Sequence, residues 1–270
     1  MKRLCKKLTQ LFKKLPIINP NSPFKYFWDF FTILMISLNM FFFSIDIAFD
    51  PKFMESSLMK FFNFFSLGFF YSNILINFKS SFYEHGTLET NQKKIIKNYL
   101  KKDFFIDFIC ILALALNIAI RSYQTIYKWP ILFFFLHIKT FKKILINLEN
   151  FIDFGDFFDL ISVVFKLLCV AHLYACFWYY ISSQLVETED TWLSSAKLEG
   201  TPFHIKYCYS AYWALTKMLT IGYGDITPKN TYEVLFASFA IITGSVVFGF
   251  SLNRIGSILT KIDVRDQELK

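Results

Sequence analysis

Thr220, Ile221, Gly222, Tyr223, Gly224 and Asp225 follow a short aromatic-rich stretch and precede a long apolar one. The two glycines permit backbone angles that a side chain forbids, so successive carbonyls can be turned the same way. Repeated around an axis, the carbonyls of Thr220, Ile221, Gly222 and Tyr223 would stack as rings, with the Thr220 hydroxyl as the lowest. Such rings replace the hydration shell of a K+ ion, so these four residues are candidate K+ ligands. Asp225, after the second glycine, would ring the outer mouth with carboxylates and concentrate cations there. A Gly-x-Gly by itself is an ordinary turn; the apolar segments on both sides are what give this one weight.

Those residues need elements to hold them. Tyr207 to Leu219 is too short to cross a bilayer and is expected to dip in and return. Irregular backbone at membrane depth is tolerated only where it is buried in protein or lines a water-filled path. As a pore helix, this stretch would aim the negative end of its dipole at a central cavity and favour cations. The rings of Tyr212 and Trp213 within Ala211-Tyr212-Trp213-Ala214 would brace the filter, or simply pack as helix side chains do. Lys217 is out of place, because an ammonium is expensive in hydrocarbon without a partner or water. It either pairs with an acid, snorkels, or faces the cavity and lowers conduction. The apolar segment Thr231 to Leu259 contains Gly244, Gly249 and Gly256. Gly244 or Gly249 is a candidate hinge for a cytoplasmic gate and Asn253 a candidate hydrogen-bonding residue between subunits; close helix packing is the other reading of the glycines.

Composition places this chemistry in a membrane. The 270 residues are 54% hydrophobic and 20% aromatic, with 36 phenylalanines and a mean hydropathy of +0.39. A soluble domain of this length is not so apolar. The net charge of +8 does not point to nucleic acid, since the positive residues cluster beside apolar segments. Residues 1–28 hold seven Lys and Arg without an acid, and 79–102 hold six Lys against Glu84 and Glu89. The stretch 183–206 instead carries Glu187, Glu189, Asp190 and Glu199 against two lysines. By the positive-inside rule the first two regions are cytoplasmic and the third is outside. Cys5, Cys110, Cys169, Cys176 and Cys208 have neither metal-ligand nor disulfide-framework spacing. His172 and Cys176 lie one helical turn apart without a nucleophile–base set, so no catalytic residue and no cofactor beyond permeating K+ is expected.

The expected fold is an all-α membrane protein. Residues 1–24 begin with a basic amphipathic helix on the cytoplasmic leaflet (Leu4, Leu8, Leu11, Phe12 and Leu15 on one face), where Cys5 could carry a lipid. Pro16 to Pro23 breaks that helix before the membrane. Six transmembrane helices are expected at about 25–48, 58–78, 104–120, 129–148, 157–182 and 231–259. Residues 25–148 form a voltage-sensor-like four-helix bundle, and 149–262 form a two-helix pore with a re-entrant pore helix and filter. Residues 263–270 begin a cytoplasmic C-terminal linker. An even number of spans leaves both ends cytoplasmic.

The fourth span supplies little sensing charge. Its every-third-residue thread runs Phe133, Leu136, Lys139, Lys142, Leu145, with Lys143 and His137 off it. One charge crossing the whole field gains about 2.3 kcal/mol per 100 mV, and steep gating uses about 3–4 per subunit. Two partial charges imply weak voltage dependence. Asp107, early in the third span, is a candidate countercharge for a passing lysine, or else a local partner of Lys101 or Lys102. Tyr71-Ser72-Asn73 offers neutral groups where the second span would be expected to carry an acid.

Ser81 to Ile109, with Tyr83-Glu84-His85-Gly86, Lys93-Lys94-Ile95, Tyr99-Leu100 and Phe104-Phe105-Ile106-Asp107, resembles the second-to-third-span region of the ether-à-go-go and cyclic-nucleotide-regulated channel superfamily. Ala171-His172-Leu173-Tyr174-Ala175-Cys176-Phe177-Trp178-Tyr179 is similar to that group's fifth span, and Thr191-Trp192-Leu193 with Tyr209-Ser210-Ala211-Tyr212-Trp213 to its turret and the start of its pore. The resemblance covers roughly residues 20–262. It implies passive cation transport by a homo- or heterotetramer in contact with membrane lipids, in the plasma membrane, without nucleic acid. Ile221-Gly222-Tyr223-Gly224 is similar to hyperpolarisation-activated channels that pass both sodium and potassium, whereas Thr220 and Asp225 match the potassium-selective pattern. The family continues past its last span into a linker and a cyclic-nucleotide-binding domain. A pore-forming potassium channel subunit is the leading reading. A non-conducting regulatory subunit, a weakly selective Na+/K+ channel and a scaffold that keeps a channel fold are the alternatives.

Overall fold

The computed structural model describes residues 16–84, 86–120, 136–149 and 155–268, and these are mostly helical. The expected amphipathic helix at 1–15 and the first part of the fourth span, 129–135, lie outside the described residues. The elements run α1 (Pro23–Phe49), a 3-10 turn (Lys52–Glu55), α2 (Ser57–Asn77), β1 (Phe82–Glu84), β2 (Thr87–Glu89), α3 (Gln92–Lys102), α4 (Phe104–Ile120), α5 (Ile138–Glu149), α6 (Gly155–Leu185), α7 (Trp192–Ser195), α8 (Phe203–Met218) and α9 (Thr231–Glu268). Among the described residues three helices are long and apolar enough to cross a bilayer: Pro23–Phe49, Asp159–Leu185 within α6, and Thr231–Val264 within α9. Phe104–Ala119 is a shorter apolar helix. α2 has 21 residues and is diluted by Lys60, Asn63, Asn73 and Asn77.

The chain divides into two compact units, one taking in the described residues up to Met40 and those of Phe53–Phe151, the other Phe41–Lys52 and those of Ile152–Lys270. In the first unit the polar residues of the apolar helices pair with one another. The Trp28 indole donates to Asn73 at 2.9 Å and stacks on Phe69 at 4.8 Å. Asn39 donates to Ser66 at 3.1 Å and to the Met35 carbonyl at 2.7 Å. Pairing of this kind is what lets polar side chains sit between apolar helices.

The basic stretch 79–102 is more ordered than its charge alone suggests. Phe82–Glu84 and Thr87–Glu89 form an antiparallel hairpin, with Gly86 at φ +79° in the turn. The Asn91 side chain then caps α3 by accepting from the Lys93 amide. α3 buries Ile95, Ile96 and Tyr99 and leaves Lys93, Lys94, Lys97, Lys101 and Lys102 exposed. Its apolar face joins Ile74 and Phe78, with Leu100, Phe104 and Ile111 packed against them.

In the second unit α6, α8 and α9 pack on one another. Trp178 of α6 lies flat on Trp213 of α8, centroids 3.8 Å apart and planes 2° from parallel, and also stacks with Trp192 at 5.8 Å. All three indoles are buried. The end of α1 contributes Phe49, stacked on Tyr179 at 4.0 Å. α8 starts at Phe203, four residues ahead of the expected Tyr207, because Pro202 supplies an extended cap and a first helical turn needs no apolar face.

Candidate functional site

The 220–225 segment begins where α8 ends. The Leu219 amide donates to the Leu215 carbonyl at 2.9 Å and closes the helix. The Ile221 and Gly222 amides then both donate to the Thr216 carbonyl, at 2.9 and 3.1 Å. Thr220, Gly222 and Gly224 all have positive φ, at +59°, +61° and +81°. The left-handed region is free for glycine and costs an L-residue about 1–2 kcal/mol, so Thr220 is held there against its preference. Two successive N–H groups turned back onto α8, with every second residue left-handed, leave the carbonyls of this segment free of the helix that precedes it.

Side chains around the segment hold its C-terminal part. Tyr223 stacks on Tyr212 with centroids 6.4 Å apart and planes 5° from parallel. The Tyr212 hydroxyl beside Asp225 is the main cause holding that carboxyl below its ordinary value of 3.8. The Asp225 backbone, the Ile226 amide and the charge of Lys217 act in the same direction. Lys217 is half-buried in the last turn of α8, and its charge is felt at the Asp225 carboxylate. Ile221 is 49% and Tyr223 70% exposed on the single chain, whereas the following Ile226 is buried.

α9 runs unbroken from Thr231 to Glu268 through Gly244 and Gly249. A Cβ on Gly244 would stand 3.2 Å from the Met218 Cα and 3.4 Å from the Tyr174 ring, so this glycine is where α9 meets the end of α8. Gly249 has open space around it, and Asn253 is exposed.

In the first unit Asp107 is buried and accepts from the Tyr99 hydroxyl at 2.6 Å. Its other oxygen is 3.4 Å from His137 Nε2, and His137 is buried as well. Lys143 reaches Asp103 at 2.7 Å, while Lys139 and Lys142 are exposed. The group facing the buried acid is therefore an imidazole, not one of the three lysines. His172 accepts or donates at Tyr207 (2.9 Å), touches Cys176 at 3.8 Å and is covered by the Phe41 ring at 4.4 Å, the surroundings of a packing residue.

One residue absent from the sequence reading stands out in the second unit. Glu233, in the first turn of α9, is fully buried and accepts from Ser182 Oγ at 2.6 Å, from the Lys229 amide at 2.8 Å and from the Trp192 amide at 3.2 and 3.3 Å. Its only sequence signal is Asn230-Thr231-Tyr232-Glu233, the spacing of an ordinary helix start.

A model of the ion transport protein family matches residues 25–265, nearly the whole described chain. The chain belongs to that family. Similar proteins include a cyclic nucleotide-gated cation channel of Ictalurus punctatus, 24% identical over 72% of this chain and 28% of the relative. The potassium channel AKT1 of Arabidopsis thaliana is 27% identical over 64% of this chain and 21% of its own length. The human voltage-gated delayed rectifier potassium channel KCNH5 is 25% identical over 72% and 22%. The family member described here thus spans between about a fifth and a third of the length of such relatives. The resemblance to the ether-à-go-go and cyclic-nucleotide-regulated superfamily is borne out, since all these relatives fall within the voltage-gated-like cation channels. Membership in the ion transport protein family gives no support to an enzyme reading.

Proposed function

We propose that this chain is the pore-forming subunit of a tetrameric potassium-selective channel with weak voltage dependence. K+ crosses passively through rings of carbonyls from Thr220, Ile221, Gly222 and Tyr223, and Asp225 gathers cations at the outer mouth. The observation that carries this reading is the left-handed φ at Thr220, Gly222 and Gly224, combined with the Ile221 and Gly222 amides both bonded to the Thr216 carbonyl. Backbone spent in that way can present its oxygens to a bare ion. The exposure of Ile221 and Tyr223 on one chain suits a surface completed by further copies. Relatives described as potassium channels agree.

The six spans are α1, α2, α4, the expected fourth span of which α5 is the described part, α6 and α9, with α8 re-entering between the last two. Both ends lie in the cytoplasm, and the membrane is the plasma membrane. Asp107 and the lysines 139, 142 and 143 form a sensor too poor in charge for steep gating. Gly249, with open space around it, is the better hinge of the two glycines.

Purified protein in potassium-loaded vesicles tests the reading. Potassium efflux that exceeds sodium efflux, and that is lost in Gly222→Ala, supports it. Equal sodium and potassium flux points to the weakly selective channel, and no flux without a co-expressed relative points to the regulatory subunit.

A further inference from the structure

Glu233 asks for an explanation that helix capping does not supply. In a capping box the acid three residues into the helix turns back to the amide of the cap residue. Here the Asn230 side chain accepts from the Glu233 amide at 2.9 Å, but the Glu233 carboxylate reaches elsewhere. One oxygen meets Ser182 of α6, and the other meets the amide of Lys229, in the loop that leaves Asp225. Both approach the Trp192 amide at the start of α7. Asn230 adds a bond from its own amide to the Asp190 carbonyl at 3.1 Å. A fully buried carboxylate is costly unless donors surround it. This one is met by a hydroxyl, two main-chain amides and the positive end of the α9 dipole.

Two routes run from that carboxylate to the 220–225 segment. The first is main chain: Lys229 follows Pro228, and fixing its amide fixes the return of the chain from Asp225 through the buried Ile226. The second is aromatic. Trp192 stacks on Trp178, Trp178 on Trp213, and next to Trp213 stands Tyr212, which stacks on Tyr223 and holds the Asp225 carboxyl low.

We infer that Glu233 is a positioning residue for the outer end of the filter: its carboxylate ties the loop after Asp225 to α6 and α7 and so keeps Tyr223 and Asp225 in the conducting arrangement. The inference deepens the channel reading and rests on it for its functional consequence. Bound K+ stabilises the conformation that binds it, by mass action. A filter whose outer tether is loosened should therefore collapse faster, and external K+ should oppose the collapse.

Glu233→Gln tests this, because the amide keeps one acceptor and sets a donor against the Trp192 or Lys229 amide. Currents should keep the wild-type reversal potential but decay about tenfold faster during a sustained stimulus, the change that roughly 1.4 kcal/mol makes in a rate. Raising external K+ should slow that decay more in the variant than in the wild type. A merely structural residue would lower the number of channels without altering the potassium dependence. Ser182→Ala, which removes one donor, should give a smaller change in the same direction and serves if Glu233→Gln does not assemble. Decay at the wild-type rate with unchanged potassium dependence in both variants overturns the inference. Should the wild type pass no current, the channel reading fails separately. Hydrogen exchange at the Trp192 and Lys229 amides of the purified protein then decides on Glu233: at least about tenfold faster exchange in the variant supports the tether, and equal exchange overturns it.

Discussion

Tyr212 lies against the candidate filter with its ring parallel to that of Tyr223, and its hydroxyl is the chief influence holding the Asp225 carboxyl low. A single α8 side chain thus meets Tyr223 and favours the ionised form of the carboxylate two residues on. Because the Asp225 value is depressed, the stabilisation its ionised form contributes is fully present above the ordinary carboxylate value of 3.8 and is lost as the pH falls through the lower folded-state value. Tyr212→Phe removes the principal cause. Currents recorded against external pH should show acid inhibition setting in at a higher pH in Tyr212→Phe than in the wild type. Superimposable pH curves would show that Tyr212 does not act on Asp225.

The left-handed positions can be tested one at a time. Alanine at Gly222 or Gly224 must occupy φ near +61° or +81°, at about 1–2 kcal/mol each, or turn its carbonyl away. Potassium flux into vesicles should vanish in both variants, while the helical circular-dichroism signal stays at its wild-type level. Retained flux in either would mean that the backbone angle at that position is not needed.

The two α9 glycines should respond oppositely. Alanine at an interior helical position gains about 1 kcal/mol over glycine. At Gly249, with open space around it, that gain is realised and the melting temperature in detergent rises. At Gly244 the new methyl presses on the Met218 backbone at 3.2 Å, and overpacking costs about 1–3 kcal/mol. Gly244→Ala should therefore melt lower than the wild type. If Gly244→Ala melts as high as Gly249→Ala, the close approach to Met218 is not rigid.

For the sensor, neutralising the exposed Lys139 and Lys142 should change the conductance–voltage slope only slightly. Asp107→Asn or His137→Gln should move its midpoint further, because both side chains are buried 3.4 Å apart and neither can be resolvated by water. A steep wild-type slope that flattens on loss of the two lysines would reverse this assignment.

How legible all this was in the sequence depended on what signalled each part. Continuous apolar runs announced α1, α4, α6 and α9, and the double glycine announced the 220–225 segment. The hairpin and α3 were hidden inside 79–102, where lysines dominate the composition; the spacing of Ile95, Ile96, Tyr99 and Leu100 was present but short. The first turn of α8 was missed because His204 and Lys206 interrupt the apolar pattern, although Pro202 marks its start. Asp107 was recognisable as an acid early in an apolar span, but its neighbours His137 and Tyr99 come from residues 30 positions downstream and eight upstream, and no periodicity links them. Glu233 was invisible for a different reason. An acid in the first turn of a helix is ordinary, and only the fold shows that it turns outward to Ser182 and Trp192.

Whether backbone oxygens of the 220–225 segment select potassium is read from the reversal potential in mixed sodium and potassium, measured for the wild type and for Thr220→Cys. The wild type should reverse near the potassium equilibrium potential, with Thr220→Cys shifted toward sodium by loss of the lowest oxygen ring. Equal, unselective reversal in both proteins would contradict the claim.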